Sequence, residues 1–116
     1  MKIIKLINTE CGRCYTDLEE WKLFIESDRS FFNDELGLYF IVTGETNDYF
    51  EYVLRNYTYP FTILFDTGDT FLECNKFIVD PRETFLLDEN NTVIMKGSPL
   101  NNEGIFYVYK ILIEKW

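Results

Sequence analysis

Cys11-Gly12-Arg13-Cys14 stands between a short apolar run, Ile3-Ile4-Lys5-Leu6-Ile7, and a stretch of helical periodicity, and this junction decides how the chain is read. Ile3, Ile4, Leu6 and Ile7 make a β-like run. From Cys14 the apolar residues Leu18, Trp21 and Ile25 follow at spacings of four, three and four, the repeat of one helix face. Cys14 is therefore predicted on the buried stripe of a helix, with Cys11 at its amino-terminal tip. There the unpaired backbone N–H groups and the positive end of the helix dipole favour thiolate over thiol. Cys11 is the expected nucleophile and Cys14 the resolving thiol. Two intervening residues let one helical turn bring the sulfurs within bonding distance, and Gly12 is expected to clear a tight approach. Arg13 adds positive charge beside the pair, whereas Glu10, Asp17, Glu19 and Glu20 oppose it, so the sign of the net effect on the thiol is open.

Other uses of two such cysteines fit less well. A structural disulfide closing so short a loop restrains the unfolded chain little. Half of a zinc site needs two more soft ligands, and the chain has no histidine and only Cys74 left over. Neither a metal nor a cofactor is expected. Cys74 reads as a partly buried free thiol in an irregular segment between Phe71 and Val79.

The 116 residues, 47% of them hydrophobic, suit one domain over 1–116 with a single core. A formal net charge of -9 argues against nucleic acid or an anionic membrane surface as partner. No apolar run approaches the roughly 18 residues of a membrane span, and the amino terminus reads as a strand rather than a signal peptide. A soluble chain with no membrane insertion is expected, and an export signal removed before Met1 is compatible with that.

Further along, Leu38 to Val42 suits a strand buried on both faces. Thr46 or Asn47 is predicted to cap a second helix carrying Tyr49, Phe50, Val53, Leu54 and Tyr57. Phe61 to Asp66 reads as a short strand. Thr84 to Leu87 and Thr92 to Lys96 flank Asp88-Glu89-Asn90-Asn91 as a β-hairpin. Asn101 or Asn102 is predicted to cap a final helix with Ile105, Val108, Leu112 and Trp116 on one stripe. Right-handed crossovers then require a parallel pair covered by helices, joined antiparallel by the late hairpin.

These residues resemble the thioredoxin-like fold, and within it the thiol-disulfide oxidoreductases of the TlpA and ResA type. The resemblance is carried by Cys11-Gly12-Arg13-Cys14 after a strand, by Tyr59-Pro60-Phe61-Thr62-Ile63-Leu64-Phe65-Asp66, and by the strand, acidic turn and strand of Thr84 to Ile94. It implies an α/β domain with a central mixed five-stranded sheet and helices on both faces. It also implies dithiol/disulfide exchange with protein thiols or disulfides, in which Cys11 attacks and Cys14 resolves, and a second protein that acts as reductant or oxidant. Relatives of this type are often exported and tethered to the cell envelope; an unmodified cytoplasmic protein is the alternative compartment.

The chain departs from the family pattern at the loop before the late hairpin. Where the family has a cis-proline two residues ahead of the strand, Arg82 stands here, with Pro81 one residue earlier. Pro81 is the expected active-site proline, because non-proline cis bonds are rare, and a site with Arg82 and a trans peptide is the alternative. Glu10, directly before Cys11, would disfavour its thiolate and make the couple more reducing. Phe31, Phe32, Tyr57 and Tyr59 are read as packing residues with a partner groove as the alternative. Glu10 and Glu83 are candidate proton acceptors for Cys14. A redox-inactive binding or accessory module is the competing function. A peroxidase fits less well, because the thiols are paired at the helix tip.

Overall fold

Residues 1–10, 12–28, 36–45, 48–56, 59–66, 70–75, 83–100 and 102–114 are described in a computed structural model. The strands are β1 (Lys2–Asn8), β2 (Gly37–Thr43), β3 (Thr62–Phe65), β4 (Thr84–Leu87) and β5 (Val93–Lys96). The helices are α1 (Gly12–Ser27), α2 (Asp48–Asn56), α3 (Thr70–Cys74) and α4 (Glu103–Glu114). The strands form one sheet in the order β3-β2-β1-β4-β5. β1, β2 and β3 run parallel, whereas β4 lies antiparallel to β1 and β5 antiparallel to β4.

β1 holds the centre because it is apolar on both faces, and a strand sends alternate side chains to opposite sides. Ile3 and Ile7 enter one cluster with Cys14, Leu18 and Trp21 of α1, Phe50 and Val53 of α2, and Tyr109 of α4. Ile4 and Leu6 face the other way, toward Ile41 and Phe85, where Phe71 of α3 packs. This is the mixed five-stranded sheet with helices on both faces that the sequence implies, with α3 the only helix packed on the second face among the described residues.

Three local readings change. The segment taken as irregular holds α3, a single turn too short to show an apolar repeat. The Asp66 carboxylate accepts the N–H groups of Thr70 at 3.1 Å and Phe71 at 2.8 Å, satisfying two donors that a helix start leaves open. Cys74, expected to be partly buried, is exposed at the end of that turn, where it borders an open groove with Ile41, Leu64 and Phe71. On α4 the buried stripe runs through Ile105, Phe106, Tyr109, Leu112 and Ile113, leaving Val108 exposed. Asn102 caps this helix, its side-chain oxygen accepting the Ile105 N–H at 3.0 Å. On α2, Phe50 and Val53 are buried while Tyr49 is 61% exposed. The predicted caps Thr46, Asn47 and Asn101, and Phe31, Phe32, Tyr57 and Trp116, lie outside the described residues.

The hairpin forms as read. Asp88 Oδ1 accepts the N–H groups of Asn90 and Thr92, both at 2.9 Å, and Asn91 takes φ 64° in the turn. A shift in register between Leu86 and Leu87 gives this pair a bulge.

Tyr109 joins α4 to the end of β5: its hydroxyl donates to the Gly97 carbonyl at 2.6 Å, and the ring is fully buried. Burial, and then the charge of Glu83, hold the phenol well above the usual tyrosine range. The folded state therefore keeps a proton that the unfolded state releases above about pH 10. Stability attributable to this group is intact below that pH and falls as pH rises through it, by about 1.4 kcal/mol per pH unit. Urea titrations from pH 8 to 11.5 are expected to show this alkaline loss, and Tyr109→Phe to remove that component of the slope.

Candidate active site

The site is built where β1 ends and α1 begins. α1 starts at Gly12, one residue after Cys11, and buries Cys14, Leu18, Trp21 and Ile25 on one stripe, as the spacing predicts. Cys14 is fully buried, and the Asn8 backbone N–H donates to its Sγ at 3.5 Å. A donor aimed at sulfur strengthens when the sulfur carries charge. Cys11, Pro81 and Arg82, which the sequence assigns to the site, lie outside the described residues.

Gly12 has open space around it: a Cβ built there meets nothing within 4 Å. Gly12 and Arg13 are both exposed at the helix tip. Crowding falls instead on Gly44, at φ +87°, where a Cβ would stand 2.6 Å from Thr9 Oγ1. The close packing lets Thr9 Oγ1 donate to the Glu45 carbonyl at 2.6 Å. The Thr9 carbonyl in turn accepts the Tyr15 hydroxyl at 3.2 Å, and Asn8 Oδ1 accepts the Glu10 N–H at 2.8 Å. The loop before the cysteines is thereby tied to β2 and to α1.

Beneath α1 lies a buried charge pair that the sequence reading missed. Lys5 Nζ stands 3.3 Å from Asp17 Oδ2, with the two side chains 6% and 9% exposed. Lys5 alternates with Ile3 and Ile7 on the face that α1 covers, and Asp17 follows Cys14 by three residues on the helix, which places the two on neighbouring turns of one face. Asp17 was grouped with the surface acids opposing the thiolate; it is instead buried and compensated by Lys5. Thr84 is directly across from Lys5 in the β1–β4 register, and its buried hydroxyl has no hydrogen-bond partner among the described residues. The signal in sequence was Lys5 itself, the one charged residue inside an apolar run.

The remaining candidates are held elsewhere. Glu10 is exposed. Glu83 is half-buried, accepts the Thr84 N–H at 3.2 Å and pairs with Lys96 at 3.7 Å. Tyr59 packs rather than lining a groove: its ring stacks on Phe61 at 5.3 Å and its hydroxyl donates to Glu19 at 3.0 Å. No group of metal-ligating side chains occurs among the described residues.

No protein-family model and no curated protein matches the chain. Solved structures do. The thioredoxin domain of a thiol-disulfide oxidoreductase from Bacteroides vulgatus superposes at TM-score 0.69 with 13% identity, over 96% of this chain and 77% of that one. StoA from Bacillus subtilis gives 0.64 at 18% identity, over 82% and 70%. The pneumococcal exposed lipoprotein thioredoxin Etrx1 from Streptococcus pneumoniae gives 0.67 at 13% identity, over 95% and 83%. At such identities the likeness speaks for backbone architecture, and with the sheet order and the helices on both faces it shows that this chain has the thioredoxin-like fold.

Proposed function

We propose that the chain is a thiol-disulfide oxidoreductase that exchanges a Cys11/Cys14 dithiol with protein disulfides. The observation that carries this reading is Cys14, buried in the first turn of α1 with a backbone N–H aimed at its sulfur, three residues after a second cysteine in the sequence. In the reducing direction, Cys11 thiolate attacks one sulfur of the substrate disulfide and expels the other as a thiolate, which takes a proton from water. Cys14, having given its proton to solvent, attacks the Cys11 sulfur and expels the second substrate thiolate. The substrate gains two electrons, the protein is left with a Cys11–Cys14 disulfide, and a second dithiol protein resets it by the same steps reversed.

The test is the reduction potential of the couple, measured by equilibrating the protein against glutathione or dithiothreitol mixtures and counting thiols. A reversible two-electron couple between roughly -120 and -300 mV is expected, and its position gives the working direction. Cys14→Ser is expected to accumulate a mixed disulfide through Cys11, visible by mass as an adduct that dithiothreitol releases. No reversible couple and no adduct would leave the fold as a binding module.

A further inference from the structure

Beside the proposed exchange site the surface carries an aromatic face and a surplus of negative charge. Tyr49, at the start of α2, is 61% exposed although its ring stands edge-on to Tyr15 at 5.1 Å and 73°. Tyr15 immediately follows Cys14 and is anchored by its hydroxyl to the Thr9 carbonyl at 3.2 Å. Tyr49 is therefore held next to the helix that bears the cysteine. Tyr52, one turn further along the same helix, is 58% exposed.

Three acidic residues stand on the segments that these contacts join. Glu10 follows Thr9, Glu45 accepts the Thr9 hydroxyl through its carbonyl, and Asp48 precedes Tyr49; all three are exposed. The ion pairs formed among the described residues are Lys5–Asp17 and Lys96–Glu83, so none of the three is neutralised by them. Arg13 is the exposed cation at this end of α1.

On the exchange reading above, we propose that this surface docks a lysine- or arginine-bearing segment of the substrate that lies next to its disulfide. The aliphatic stem of such a side chain crosses the Tyr49 ring, and its charge stands among Glu10, Glu45 and Asp48. An exposed aromatic face and unneutralised carboxylates select the same chemistry, a cation with an apolar stem. A second copy of this chain, at net charge -9, brings the wrong sign, and so does an acidic peptide.

The experiment uses the reduced full chain and two disulfide-closed peptides of equal length, one flanked by lysine and arginine and the other by glutamate. The cationic peptide is expected to be reduced about tenfold faster at low salt. The ratio is expected to approach one in roughly 0.5 M salt, where screening is short-ranged. It is also expected to collapse in Glu45→Gln/Asp48→Asn and to fall in Tyr49→Ser, while Glu89→Gln, in the distant hairpin turn, keeps it. Equal rates for the two peptides, both well reduced, overturn the docking surface and leave the exchange reading standing. If neither peptide is reduced, exchange itself fails, and docking is decided by fluorescence anisotropy with both peptides made serine-for-cysteine. Salt-sensitive binding of the cationic one, lost in Glu45→Gln/Asp48→Asn, supports the surface; equal binding of the two, or none, overturns it.

Discussion

Lys5→Met is expected to lower the unfolding free energy by about 3–5 kcal/mol, because it removes the ammonium that stands 3.3 Å from the buried Asp17 carboxylate. The side chains of the pair are 6% and 9% exposed, so little water is at hand to replace the lost ammonium. Domains of this kind are stable by about 5–15 kcal/mol, so the variant loses a large fraction of the total. Replacing both partners, Lys5→Met with Asp17→Leu, is expected to recover most of that loss, since the cost lies in a buried carboxylate deprived of the Lys5 ammonium. Urea denaturation of wild type, both single variants and the double variant closes the cycle; a shifted midpoint at constant slope reports stability alone. A single-variant loss under about 1 kcal/mol would mean that water reaches the pair in solution.

Trp21→Ala is expected to cost a similar amount, about 3–5 kcal/mol, by a different route. Trp21 is 1% exposed and stands edge-on to Phe24 at 5.9 Å and to Phe40 at 5.7 Å. Phe40 itself stacks on Phe61 at 3.9 Å and 12°, so the indole joins α1 to two adjacent strands through one aromatic series. Truncation opens a cavity that these rings cannot close without leaving their edge-on and stacked positions. Trp21→Phe, which keeps part of the volume, is expected to lose less than half as much. Guanidinium unfolding followed by far-ultraviolet circular dichroism measures both, and a loss for Trp21→Ala below about 1.5 kcal/mol would contradict the account.

Much of this architecture was legible because the apolar pattern is strong where the sheet and the first helix lie. The apolar run Ile3 to Ile7 reads as a strand covered on both faces and the stripe Cys14, Leu18, Trp21, Ile25 matches the helical period, and both formed as read. α3 was not legible, since one helical turn has no repeat to detect and its start is set by Asp66, whose role depends on where β3 ends. On α4, the predicted stripe passes through Val108 where the buried face passes through Tyr109, because the two follow Ile105 by three and four residues, both helical spacings, and the Tyr109 hydroxyl is satisfied by Gly97. The burial of Cys14 in the first turn of α1 was legible from spacing. The Lys5–Asp17 pair was not, since it joins a strand to a helix face and becomes visible only once β1 and α1 are packed.

The sheet is seven residues deep at β1 and β2 but only four at its margins, β3 and β5. A foreign strand laid along either margin would find only a few hydrogen bonds, each worth about 0.5–1.5 kcal/mol net. Joining two molecules costs an estimated 4–15 kcal/mol or more in lost translational and rotational freedom. Backbone pairing at such a border therefore falls short of holding a second chain, even though Leu64 and Phe65 lie half-uncovered beside one of them. The taper makes the sheet self-limiting: it stops growth at five strands by leaving too little border for a sixth.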